Sequence, residues 1–136
     1  MTYNSYIKSI DVNQALATTK KFLSQVETLP EWTKFFLKCH SKGSDGYLME
    51  TLMGPSKTWI EEQDNNESKK FIIHSFFESK NREETAEIDV IQENGKVKIS
   101  FHLFLPASLP QEVIKKQLCT LECELLQLKS ILEEKL

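Results

Sequence analysis

The sequence predicts an α+β fold: a seven-stranded, curved antiparallel sheet around a long C-terminal helix, with two short helices between the first and second strands. Three observations predict it. Apolar spacing switches from every second residue to every third or fourth between Ser5 and Val26. Strand and turn signals then alternate without interruption from Phe35 to Leu105, and a leucine stripe runs through the breaker-free segment from Gln111 to Leu136.

Ser5 to Ile10 reads as the first strand, with Tyr6, Lys8 and Ile10 on one face. Val12, Ala15, Leu16, Thr19, Phe22, Leu23 and Val26 then fall on one helical stripe. Asp11 with Gln14 three positions on offers that helix a capping box. Pro30 disfavours helix at Leu29 but can itself open a new turn, so a second short helix is expected over about Pro30 to Lys34.

The strands form a meander. Phe35 to Ser41 closes at Lys42-Gly43-Ser44-Asp45-Gly46, and Tyr47 to Met53 closes at Gly54-Pro55-Ser56. Lys57 to Gln63 leads into a polar loop over Asp64 to Ser68. Lys70 to Ser79 is the most apolar strand, Glu84 to Gln92 comes next, and Asn94-Gly95 is a hairpin turn whose residues tolerate positive φ. Val97 to Leu105 alternates, with Val97, Ile99, Phe101, Leu103 and Leu105 set against Lys98, Ser100 and His102. Ser108, Pro110 and Gln111 then read as a helix start. Ile114, Leu118, Leu121, Leu125, Leu128 and Leu132 form a seam that must be covered, by the sheet or by another chain.

Composition narrows the function. The 136 residues are 40% apolar and 27% charged with a net charge of −3, an ordinary balance for a folded domain, and no linker or repeat divides them, so one domain over 1–136 is expected. Lys and Arg are dispersed, a poor footprint for nucleic acid. No segment is apolar over the ~20 residues a membrane helix needs, so no membrane insertion is expected. The start lacks the basic-then-apolar pattern of a secretory signal, and three cysteines, an odd number, fit a reducing cytoplasm. Phosphate-loop, H-E-x-x-H and G-x-S-x-G motifs are missing, and nothing calls for a cofactor.

Local text adds a resemblance. Leu29-Pro30-Glu31-Trp32 resembles a segment that comes after the first helix in the START-like helix-grip (SRPBCC) superfamily, which includes polyketide cyclases and dehydrases. Ile99 to Leu105, leading through Pro106 and Ser108 to Glu122-Cys123-Glu124-Leu125-Leu126-Gln127-Leu128-Lys129, looks like that group's last strand and helix. Gly54 before a polar strand is similar to uncharacterised bacterial members. The resemblance covers nearly the whole chain and rests on the order of its parts. It implies a cavity between sheet and last helix; members bind lipids, quinones, hormones or polyketides, some are cyclases, and some act on protein partners. It carries over no catalytic residue.

On this footing the candidate cavity residues are Trp32, Trp59, His74, Phe76, Phe101, Leu103, Leu118, Leu121 and Leu125. His74 faces the cavity if Ile72, His74 and Phe76 point inward, where its imidazole could move a proton. It lies outside if Phe71, Ile73, Ser75 and Phe77 do, and both faces are apolar enough to leave the choice open. Trp32 could line the rim or pin its short helix to the sheet, and the face of Trp59 is open. Glu50 would be a base with a raised pKa if buried, but Tyr47, Met49, Thr51 and Met53 make an equally good inner set. His40 and His102 fit the wet face. Cys119 and Cys123, neighbours on the last helix, could join Cys39 in a soft metal site, but partly buried thiols are the simpler reading and no metal is expected. The charges along the last helix fit its solvent face.

The leading expectation is a binder or carrier of a hydrophobic small molecule (lipid, quinone or polyketide-like), as monomer or weak homodimer. The alternatives are a cyclase- or dehydrase-like enzyme, which needs His74 or Glu50 turned inward, and a protein-interaction module using Phe36, Phe76 or Phe77, and Phe104 on outer faces.

Overall fold

The computed structural model describes residues 2–65 and 68–136. Its first strand, β1 (Tyr3–Val12), extends past the expected end because Asp11 and Val12 pair with Lys98 and Val97. The ladder thus takes the residues proposed to cap the first helix. That helix, α1 (Leu16–Leu23), starts from an extended Ala15 without a side-chain cap. Gln14 instead accepts a bond from the Ala15 N–H and donates to the Leu132 carbonyl. The expected stripe still works as one surface, since Val12, Thr19, Phe22, Leu23 and Val26 are all buried although only part of it is α-helix.

A 3-10 turn (Val26–Thr28) leads directly into α2 (Leu29–Trp32), with Pro30 in its first turn, where a missing N–H costs nothing. Strands β2 (Phe36–Gly43), β3 (Gly46–Thr51), β4 (Gly54–Asn65), β5 (Ser68–Phe77), β6 (Arg82–Glu93) and β7 (Lys96–Pro106) form the meander. Asn66 and Glu67 of the polar loop expected over Asp64 to Ser68 lie outside the described residues; β4 runs to Asn65 and β5 starts at Ser68. The spatial order is β1-β7-β6-β5-β4-β3-β2, antiparallel throughout, so β1 joins the last strand and β2 is the far edge.

Positive φ shapes several of the turns. Asn94 and Gly95 both adopt it, at 52° and 78°, as a tight hairpin requires. The turn between β3 and β4 falls two residues earlier than the Gly54-Pro55-Ser56 pattern suggests. Thr51 Oγ1 accepts the Met53 N–H and donates to the Gly54 carbonyl, and Gly54 opens β4 at φ 102°. Leu52 and Met53 therefore form the tip, with Leu52 68% exposed.

The long helix α3 (Gln111–Ser130) begins after an extended Pro110, without the Ser108 cap. It ends in a π-helical turn (Ile131–Lys135) where an unbroken α-helix is expected. The wider turn lets consecutive residues, Ile131 and Leu132, both bury. Its seam packs on the concave face of its own sheet: Leu121, Leu125, Leu128 and Leu132 share one core with Val12, Met49, Phe71, Ile73, Ile88, Val90, Val97 and Ile99. Each fully buried side chain of this size stabilises the fold by about 1.5–3 kcal/mol. The far end of the helix is tied down by polar bonds as well. Gln14 Nε2 donates to the Leu132 carbonyl (2.7 Å), the Asn13 N–H to Glu133 Oε2 (2.6 Å), and Lys129 Nζ to the Asp11 carbonyl (3.1 Å). Several charges expected merely to decorate the helix thus hold it in place. Among the described residues no helix is long and apolar enough to cross a membrane.

Candidate functional site

The seam does not fill the space beneath it. Under the middle of α3 a cavity of about 440 Å³ remains between helix and sheet. Its apolar lining includes Phe35 and Phe36 of the α2–β2 junction, Ile73 of β5, Ala86 of β6, Phe101, Leu103 and Leu105 of β7, and Leu121 of α3. The exposed Leu52 and its neighbour Met53 line it from the β3–β4 turn, so the mouth opens beside that tip.

The inner face explains which polar groups reach this space. Phe71, Ile73, Ser75 and Phe77 of β5 are all buried, and Ser75 pairs with Thr58 across the ladder. Ser56, Thr58 and Ser75 form a buried chain of hydroxyls, with Ser56 Oγ to Thr58 Oγ1 at 2.9 Å and Thr58 Oγ1 to Ser75 Oγ at 3.3 Å. Ser75 brings one end of that chain to the cavity wall. Glu84, opposite Ser75 on β6, also lines the cavity and holds Arg82 Nη2 at 2.6 Å. From the helix side comes Glu124, whose Oε2 accepts the Lys34 N–H at 2.7 Å. Burial pushes the Glu124 carboxyl above its usual range, against the opposing pull of that N–H and of the Lys34 charge.

The residues proposed from sequence divide into three groups. Phe101, Leu103 and Leu121 line the cavity. Trp32 and Leu125 are buried outside the lining: Trp32, 2% exposed, packs edge-to-face on Phe101 with ring centroids 6.3 Å apart, and Leu125 belongs to the helix seam. Leu118 is half-buried on α3, also outside the lining. Trp59, His74 and Phe76 lie on the opposite, convex face, away from the cavity they were expected to line. There the Trp59 and His74 rings stack, with centroids 5.0 Å apart and planes within 4°. His74 Nε2 is 3.0 Å from Glu61 Oε1, and Nδ1 is 3.7 Å from Glu83. The reason is the register: the hydroxyls of Thr58 and Ser75 pair inward, which turns Trp59 and His74 out.

Glu50 is likewise exposed and bonded to His40 Nε2 at 3.1 Å, and His102 meets Asp89 at 2.6 Å on the convex face. Neither of the two acid–base candidates, His74 and Glu50, reaches the cavity. Phe36 and Phe77 are buried and leave Phe104, 40% exposed, as the outward phenylalanine of that proposed interaction set beside the half-buried Phe76. Cys119 and Cys123 are exposed on α3, and Cys39 lies on β2. A second hollow of about 460 Å³ runs along β2 past Glu27, Lys38, Cys39, His40, Lys42 and Tyr47; its charged lining gives an apolar molecule little shelter.

No protein-family model matches the sequence, and no curated protein matches it. Solved structures do match. A START superfamily protein from Mycobacterium smegmatis superposes with a TM-score of 0.65 at 15% identity, over 97% of this chain and 99% of that one. The chain has the START-like helix-grip fold. The Aha1 dimer from Colwellia psychrerythraea is similar to this START-like chain with a TM-score of 0.64 at 11% identity, over 96% of this chain and 97% of that one. Ara h 8.0201 gives 0.61 at 12%, over 96% and 98%. At such identities the likeness is one of fold, and the START-like arrangement accounts for the gripped helix and the space beneath it.

Proposed function

We propose that this protein binds or carries a hydrophobic small molecule in the cavity between its sheet and α3. The observation that carries the reading is the unfilled space of about 440 Å³ with a mainly apolar lining. That volume lies within the ~300–1,000 Å³ of small-molecule sites, which are apolar with a few polar groups. An empty apolar hollow costs stability through lost packing, and a ligand that fills it restores those contacts. Among the described residues all three cysteines are thiols, which supports a cytoplasmic setting.

The test uses Nile red, a neutral apolar dye. The wild-type protein is expected to bind it with increased fluorescence, and screening of lipids, quinones and aromatic polyketides by thermal shift is expected to find competitors that raise Tm. Ala86→Phe, which extends a ring into the cavity from β6, is expected to abolish dye binding while the far-ultraviolet circular dichroism stays unchanged. Equal dye binding by a folded Ala86→Phe protein sinks the proposal.

A further inference from the structure

Two carboxylates, Glu84 and Glu124, stand in the cavity wall. Most of the lining is apolar, and a carboxylate in such surroundings is expensive unless its oxygens are bonded. Glu124 satisfies one oxygen with the Lys34 N–H, and Glu84 satisfies one with Arg82. Both side chains are only partly buried, Glu84 being 40% exposed, so Glu124 Oε1 and Glu84 Oε2 stay open to water or to a ligand. An ionised carboxylate only accepts, so what such an oxygen can take from a ligand is a donated N–H or O–H. The two groups approach from different walls, Glu84 from the sheet and Glu124 from the helix.

We infer that the ligand carries a hydrogen-bond-donating head, a hydroxyl or an ammonium, received by Glu124 and Glu84, and that carboxylate-headed amphiphiles are excluded. This rests on the cavity being the binding site, as proposed above. The buried Ser75 hydroxyl, next to Glu84 across the ladder, suits the same head because it can accept as well as donate. Two cations lie close to these carboxylates. Arg82 is engaged by Glu84, and Lys34 is the one basic residue among the lining residues, its charge drawn to Glu124. An anionic head therefore meets two carboxylates against two cations already drawn to them, so it gains no net attraction and still gives up its water, and a site rejects a wrong ligand by leaving it uncompensated in this way.

The experiment compares decanol, decylamine and decanoate, which share one chain and differ only in the head. Each is titrated calorimetrically at about pH 7, where decanoate is ionised and decylamine is a cation. Decanol and decylamine are expected to bind at least about tenfold more tightly than decanoate. Glu124→Gln, which keeps the acceptor for Lys34 but removes the charge, is expected to shrink the decylamine preference to about threefold or less. Glu84→Gln serves as the second variant and is expected to act in the same direction. Decanoate binding as well as the other two, or preferences unmoved in both variants, overturns the inference. So does binding of decanoate that Lys34→Met abolishes, since the cation would then be the anchor. If Nile red binds and none of the three amphiphiles does, the head-group reading falls alone; if Nile red fails as well, the cavity reading falls with it.

Discussion

Leu125 and Leu126 are consecutive in α3, yet Leu125 is 2% exposed and Leu126 is 60% exposed. Replacing each by alanine changes helix propensity by the same amount, so the difference between the two variants isolates what the seam gains from the sheet. Full burial of a leucine side chain stabilises by about 1.5–3 kcal/mol, and the void left by truncation raises the cost of a buried Leu→Ala change to about 2–5 kcal/mol. Leu126 has less than half of its surface to lose and leaves no void, so its truncation costs under about 1 kcal/mol. Leu125→Ala is therefore expected to cost about 2–4 kcal/mol more than Leu126→Ala. At roughly 4 °C per kcal/mol for a chain of this size, that separates their Tm values by about 8–16 °C. Urea unfolding of both variants at two protein concentrations is the assay. Equal costs, or a Leu125→Ala cost that grows with dilution, would show the seam sheltered by a second molecule and refute the gripped-helix argument.

Three further outcomes are expected. Thr58→Val removes the middle of the hydroxyl chain and leaves Ser56 and Ser75 buried without their shared partner; it should destabilise by about 1–3 kcal/mol in urea, more than Ser9→Ala at the exposed Ser9–Ser100 bond. Because burial raises Glu124 above its ordinary value of 4.5, the native state keeps that proton to higher pH than the unfolded chain does. The stability it contributes is complete below the ordinary value and declines as pH rises through the folded one, so Glu124→Gln should flatten the fall in unfolding free energy above about pH 4.5; an unchanged slope contradicts this. Among the thiols, exposed Cys119 and Cys123 should react quickly with a disulfide reagent, and Cys39, raised by burial and by nearby Glu27, should lag; three equal rates would be inconsistent with the structure.

Much of the architecture was legible because its signals are long. The alternation from Val97 to Leu105, the Asn94-Gly95 turn and the leucine seam of α3 each repeat one instruction over many residues. What failed was local and competitive. Asp11 and Ser108 are good caps, but Asp11 went into the β1–β7 ladder and α3 started past Ser108 from an extended Pro110. The inward face of β5 was hidden for a different reason. Both faces of β5 look apolar, and the concave face is marked by Ser75, Thr58 and Ser56, small hydroxyls that resemble wet-face residues until they are seen bonding one another. Glu84 and Glu124 were missed because a charge is usually read as solvent-facing. The available signal was that Glu84, Ala86, Ile88 and Val90 share one period-two set, which puts the glutamate on the same face as the core.

Three polar ties, at Lys129, Leu132 and Glu133, hold the C-terminal end of the long helix, and the cavity lies under its middle, at Gln117, Thr120, Leu121 and Glu124. The helix is fixed like a door on its pin. An outward swing of the N-terminal half would stretch the Lys8–Glu122 ion pair, the Lys34–Glu124 bond and the contacts of Ile114 and Leu121, while the C-terminal end would have to tear Leu128, Ile131 and Leu132 from the core. A guest that enters the cavity as proposed would therefore ask the N-terminal half to yield before the rest of the framework.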